Sequence, residues 1–70
     1  MAIYPNPTNE SFTIDQFEDY ENCQLIDASG KVLKDIKNAN VQTADLPSGN
    51  YFVRFLINNK ALTAPVIIQH

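Results

Sequence analysis

No stretch of this chain holds apolar residues at the i, i+3, i+4, i+7 spacing of a packed helix. Short β-branched and aromatic runs instead recur about every eight to twelve residues, separated by turn residues. That pattern restricts the fold to the all-β class. The clearest run is "NYFVRFLI", in which Tyr51, Val53, Phe55 and Ile57 fall on one face and Phe52, Arg54, Leu56 and Asn58 on the other. The first set is expected to face the core, together with Phe12, Ile14, Cys23, Leu25, Val41 and Leu46. Phe52 and Leu56 are left over on the second face, exposed unless an edge, a neighbouring domain or a partner covers them, although scattered exposed apolar residues are common. Lys31 to Ile36 does not choose a face.

The expected strands are Ala2 to Tyr4, Ser11 to Asp15, Glu21 to Asp27, Lys31 to Ile36, Val41 to Ala44, Asn50 to Ile57 and Lys60 to Gln69. Three turns connect the best defined of them. "DASGK" supplies an acceptor at Asp27 and positive φ at Gly30, so it should close a tight hairpin. "DLPSGNY" offers Pro47 to pre-set a turn and Gly49 to close it, again at positive φ. "INNK" offers Asn58 and Asn59, which tolerate the left-handed region. Two inward faces from antiparallel sheets predict a small immunoglobulin-like β-sandwich of about seven short strands. A chain of 70 residues has core enough for one such unit, so residues 1–70 are expected to be a single domain.

"IYPNPTNESFTI" opens the chain with two prolines around an asparagine. Neither proline can sit inside a paired central strand, because each lacks a backbone donor and fixes φ. Tyr4 to Asn9 is therefore expected to be a stiff turn or edge, with the Asn6 side chain bonding nearby backbone, before the strand at Ser11.

Charge and composition exclude several functions. The formal net charge is −3, and the five Lys and Arg lie scattered from Lys31 to Lys60, with no basic patch for nucleic acid. No apolar run approaches the roughly 20 residues of a membrane-spanning helix. Met1-Ala2 does not open a basic and apolar secretory leader. The one cysteine, Cys23, cannot close an internal disulfide and reads as a buried apolar residue. "DQFEDYE" gathers carboxylates between Asp15 and Glu21 but lacks a calcium-loop spacing and its glycine, so it reads as a solvated loop. His70, the only histidine, is poorly placed to be an oriented base, and no cluster suits zinc. Neither an enzyme nor a cofactor site is expected. Function must then reside in a surface, and "ALTAPVIIQH" draws attention as a β-branched closing strand that a receptor could read by strand addition or by its end.

Taken together and in order, "YPNP", "LIDASGKVL", "ADLPSGNYFVRF" and the closing strand resemble the C-terminal sorting domain of type A cargo of the type IX secretion system. The resemblance runs from Tyr4 to His70. It implies that Tyr4, Pro5, Asn6 and Pro7 form the leading motif, Asp27, Gly30 and Lys31 the hairpin, and Leu46, Gly49 and Tyr51 the second turn, all of them architectural. Recognition is implied in the last strand, at Pro65, Val66, Ile67, Ile68, Gln69 and His70; relatives often carry Lys or Arg there. Such a domain follows an N-terminal passenger in a larger exported protein. It is read by the type IX translocation machinery, and a sortase-like cysteine peptidase then removes it as the passenger is attached at the surface of a Gram-negative bacterium. The competing reading is an immunoglobulin-like accessory module that binds glycan or protein beside a catalytic domain, with Phe52 and Tyr20 as its aromatic contacts.

Overall fold

A computed structural model describes residues 1–70 and resolves seven strands: β1 (Ile3–Tyr4), β2 (Ser11–Ile14), β3 (Glu21–Asp27), β4 (Val32–Asp35), β5 (Asn40–Gln42), β6 (Gly49–Ile57) and β7 (Lys60–Ile68). Phe17–Asp19 forms a single 3-10 turn between β2 and β3. β1, β2 and β5 make a three-stranded antiparallel sheet; β4, β3, β6 and β7, in that order, make a four-stranded one. No helix is long and apolar enough to cross a membrane.

The alternation read from the sequence builds the space between the sheets. Phe12 and Ile14 of β2, Cys23 and Leu25 of β3, Val41 of β5, Tyr51, Val53 and Phe55 of β6, and Val66 and Ile68 of β7 form one buried cluster, closed by Ile36. Each fully buried side chain in such a cluster contributes about 1.5–3 kcal/mol. Leu46 and Ile57, expected inside, are only half-buried and pack against the cluster's rim. The Tyr51 hydroxyl donates to the Pro47 carbonyl at 2.7 Å. A tyrosine at the start of this strand bonding back to the preceding corner is a hallmark of immunoglobulin-like sandwiches.

Two departures from regular pairing shape β3. Asn22 takes φ 52°, and the register slips so that Glu21 opposes Leu56 while Gln24 opposes Arg54. This bulge restores Cys23 and Leu25 to the core face. Ile26 then points to the outer face yet is only 6% exposed. It lies in register with Val32 on one side and Phe52 on the other, and Phe52 with Pro65 beyond. That row accounts for Phe52, the apparent misfit of the sequence pattern.

The Asp27 turn forms as expected. Gly30 adopts φ 92°, and one Asp27 carboxylate oxygen accepts from the Ser29 N–H, the Ser29 hydroxyl and the Lys31 N–H. Asn58 and Asn59 also take the left-handed region, at φ 52° and 65°. Gly49 does not. It has no positive φ and is the first residue of β6, opposite Ile68, because the corner is turned by Pro47 and Ser48 before the strand begins. Asn6 also departs from expectation, since its amide reaches across to β7 rather than to its own backbone. Lys34 ties the sheets together at the other edge, donating to the Gln42 carbonyl at 2.7 Å and to the Asp45 carboxylate at 3.0 Å.

Candidate functional site

The closing hairpin begins with its turn. A two-residue Asn-Asn loop in the left-handed region matches the twist of the strands and makes Ile57 and Lys60 a hydrogen-bonded pair. Hydrogen-bonded pairs then recur at Leu62, Ala64, Val66 and Ile68, whose backbone groups face β6. Ala61, Thr63, Pro65, Ile67 and Gln69 turn their backbone groups to the outside of the sheet. Pro65 thus stands where a missing N–H costs β7 no ladder bond. Side chains alternate likewise: Val66 and Ile68 are buried, while Pro65, Ile67 and Gln69 are exposed.

β7 is an edge strand, and over its last third the edge is already taken. The Thr8 N–H donates to the Ile67 carbonyl at 2.9 Å, and the Gln69 N–H donates to the Thr8 carbonyl at 2.8 Å, forming a parallel bridge at Ile68. Asn6 extends this contact with its side chain. Its Oδ1 accepts from the Ile67 N–H at 3.0 Å, and its Nδ2 donates to the Pro65 carbonyl at 3.2 Å. The chain passes from the β1 sheet to the other through Pro5 and Pro7, whose X-Pro bonds are both cis. Thr8, buried and bonded through its hydroxyl to the Ser11 carbonyl, holds the segment down. Nothing in the sequence singled out Thr8, because a one-residue bridge leaves no periodic signal.

The second turn reaches the residue two places beyond this strand. The His70 N–H donates to the Ser48 hydroxyl at 3.0 Å, and His70 Nε2 donates to the Leu46 carbonyl at 2.6 Å. Asp27 lies opposite Tyr51, which lies opposite Val66, so the hairpin motif ends at this same end of the sandwich. The motif residues Asn6, Asp27, Leu46, Gly49 and Tyr51 are therefore gathered around the end of β7. Tyr4 stays apart and is largely exposed on β1.

Electrostatics here is local. The Ser29 hydroxyl, then the Lys31 N–H, hold the Asp27 carboxyl below its ordinary range. The Lys34 ammonium does the same for Asp45. Cys23 is a free, buried cysteine, and burial pushes its thiol up from the ordinary value. The carboxylates from Asp15 to Glu21 are exposed around the 3-10 turn, and no three His, Cys, Asp or Glu side chains converge on one point. At the opposite end of the sandwich a cleft of about 570 Å³ is lined by Tyr20, Cys23, Arg54, Phe55, Leu56 and Ala61, among others. Tyr20 packs against Phe55 in a T-shaped arrangement, with ring centroids 4.8 Å apart.

A family model described as the secretion system C-terminal sorting domain matches residues 2–69, nearly the whole chain. The chain belongs to the type IX secretion C-terminal sorting domain family. No curated protein matches it significantly. The family is a C-terminal sorting signal for type IX secretion and is not itself catalytic, which favours the sorting reading over the accessory module. Membership implies interaction with the type IX machinery and export to the cell surface or the medium. In this sorting domain, Asn6 bonds directly to Pro65 and Ile67 of the last strand, and Leu46 and Ser48 bond to His70 just beyond it.

Proposed function

We propose that this sorting domain is an export address read at its last strand, over Pro65, Val66, Ile67, Ile68, Gln69 and His70, with Asn6 and Leu46 holding that stretch in place. The observation that carries the reading is the division of labour along β7. Val66 and Ile68 anchor it in the core, while Pro65, Ile67 and Gln69 present a surface fixed by Asn6 and Thr8. A rigid, presented strand lowers the ordering cost of recognition. The domain would follow an N-terminal passenger, be engaged by the translocation machinery of a Gram-negative outer membrane, and then be removed by a sortase-like cysteine peptidase.

The test fuses residues 4–70 behind a leader-bearing fluorescent passenger in a bacterium with a type IX system. The parent fusion should reach the surface or the medium. Deleting Val66 to His70 should strand it in the periplasm, but that deletion also removes core side chains. Ile67→Asp is the sharper variant, because Ile67 is 43% exposed and its loss leaves the core intact. A folded Ile67→Asp domain exported as well as the parent would place recognition elsewhere.

A further inference from the structure

The unpaired N–H and C=O groups of a sheet edge offer a template to another chain, and proteins blunt such edges with short strands, charge, proline or a covering segment. Three of the four edges here are short. β1 has two residues, β5 three and β4 four, and β4 also carries Lys34 and Asp35. β7 is the exception, nine residues long and without a charged side chain from Ala61 to Gln69. Its second half holds the β-branched run Val66-Ile67-Ile68, with Ile67 43% exposed.

Along that half the edge is closed from within the chain, group by group. The Pro65 carbonyl accepts from the Asn6 amide, and the Ile67 N–H donates to the oxygen of the same amide. The Ile67 carbonyl accepts from the Thr8 N–H, and the Gln69 N–H donates to the Thr8 carbonyl. Pro65 has no N–H to offer. No outward main-chain group between the Pro65 carbonyl and the Gln69 N–H is therefore left for another strand. Toward the turn only Ala61 and Thr63 stay open, and pairing over two residues offers too few bonds to offset the freedom lost on association.

We infer that the Asn6–Thr8 segment is a built-in edge guard that keeps this domain monomeric, and that the chain it excludes is a second copy of the domain, paired antiparallel along Pro65 to Gln69. The inference does not rest on the export reading; it concerns the strand before any other partner meets it. Symmetry chooses the occupant. Identical edges pair antiparallel about a two-fold axis, so each donor on one copy finds its acceptor on the other, and the uncharged run sets no like charges against each other. Two four-stranded sheets would join at β7 into one of eight strands. The contact closes at two copies, because the far edge of each sheet is the short, charged β4.

The test is the oligomeric state of residues 1–70, followed by sedimentation equilibrium across a range of concentrations. The parent should be monomeric. Pro5→Gly, Asn6→Ser, Pro7→Gly and Thr8→Ser together keep the length of the segment but remove its amide and its stiffness, so that docking it costs more entropy. This variant should dimerise about tenfold or more tightly than the parent, the worth of one or two freed edge hydrogen bonds. Adding Ile67→Lys, which sets like charges across the two-fold axis, should return it to monomer. Circular dichroism should show both variants folded. If the fourfold variant does not fold, Asn6→Ala frees the Pro65 carbonyl and the Ile67 N–H alone, and a shift of about threefold in the same direction is expected. A folded variant that dimerises no more tightly than the parent overturns the guard, as does a parent that is itself a tight dimer. A dimer that Ile67→Lys leaves intact, or assemblies that grow beyond two copies, place the contact elsewhere and overturn the pairing.

Discussion

Gly30 and Gly49 close two similar turn motifs yet carry different constraints. Gly30 sits at φ 92°, where an L-residue is strained even though a Cβ would meet no atom within 4 Å. Gly30→Ala is expected to cost about 1 kcal/mol. Gly49 has no positive φ, and a Cβ there would rest 3.6 Å from the Tyr51 ring, an ordinary contact. Gly49→Ala should stay within about 0.5 kcal/mol of the parent, and paired thermal melts would separate the two. Thr43 offers a change of opposite sign. It is fully buried, and its hydroxyl has no hydrogen-bond partner. Thr43→Val keeps the shape and removes the unsatisfied group, so a gain of about 1 kcal/mol is expected in denaturant titration. Cys23→Ser does the reverse, placing a hydroxyl in the core at a cost of about 1–3 kcal/mol. Rapid modification of the native thiol would contradict its burial.

Among the elements, the β6–β7 hairpin was legible in the sequence and its cover was not. Alternation at period two and an Asn-Asn loop are local properties, so β6 and β7 fall within a residue of their expected bounds. Weaker segments moved further: Lys31 to Ile36 shortened to Val32–Asp35, and Val41 to Ala44 shifted to Asn40–Gln42. The cover rests on the Thr8 bridge and on one amide. Asn6→Ala removes the acceptor of the Ile67 N–H and the donor to the Pro65 carbonyl. It should lower stability by about 1 kcal/mol and speed amide exchange at Ile67 while leaving exchange at Val53 governed by global unfolding. Unchanged exchange at Ile67 would mean that Asn6 does not hold the strand.

For the molecule as a whole, acid is the informative stress. The carboxyls of Asp27 and Asp45 are both held below their ordinary value of 3.8 by partners that only the fold supplies. A depressed folded value adds stability above the unfolded value and surrenders it as pH falls through the folded one. Thermal melts should therefore drop below about pH 4, and Asp27→Ala should flatten that decline while lowering the neutral plateau. A parent melting temperature unchanged from pH 5 to 2 would show these contacts to be inconsequential. By itself the sequence determined the all-β class, the strand count, the core face of β6 and the family, because alternation, turn residues and motif order are written within short windows. Tertiary structure alone decided that Ile26 is buried on the outer face, since Val32 and Phe52 on the two flanking strands lie in register with it. It also decided what "YPNP" is for. Asn6 meets Ile67 across 61 residues of sequence. A side chain that could bond its own backbone gives no sign of such a partner until the two sheets have packed and brought the strand edge within reach.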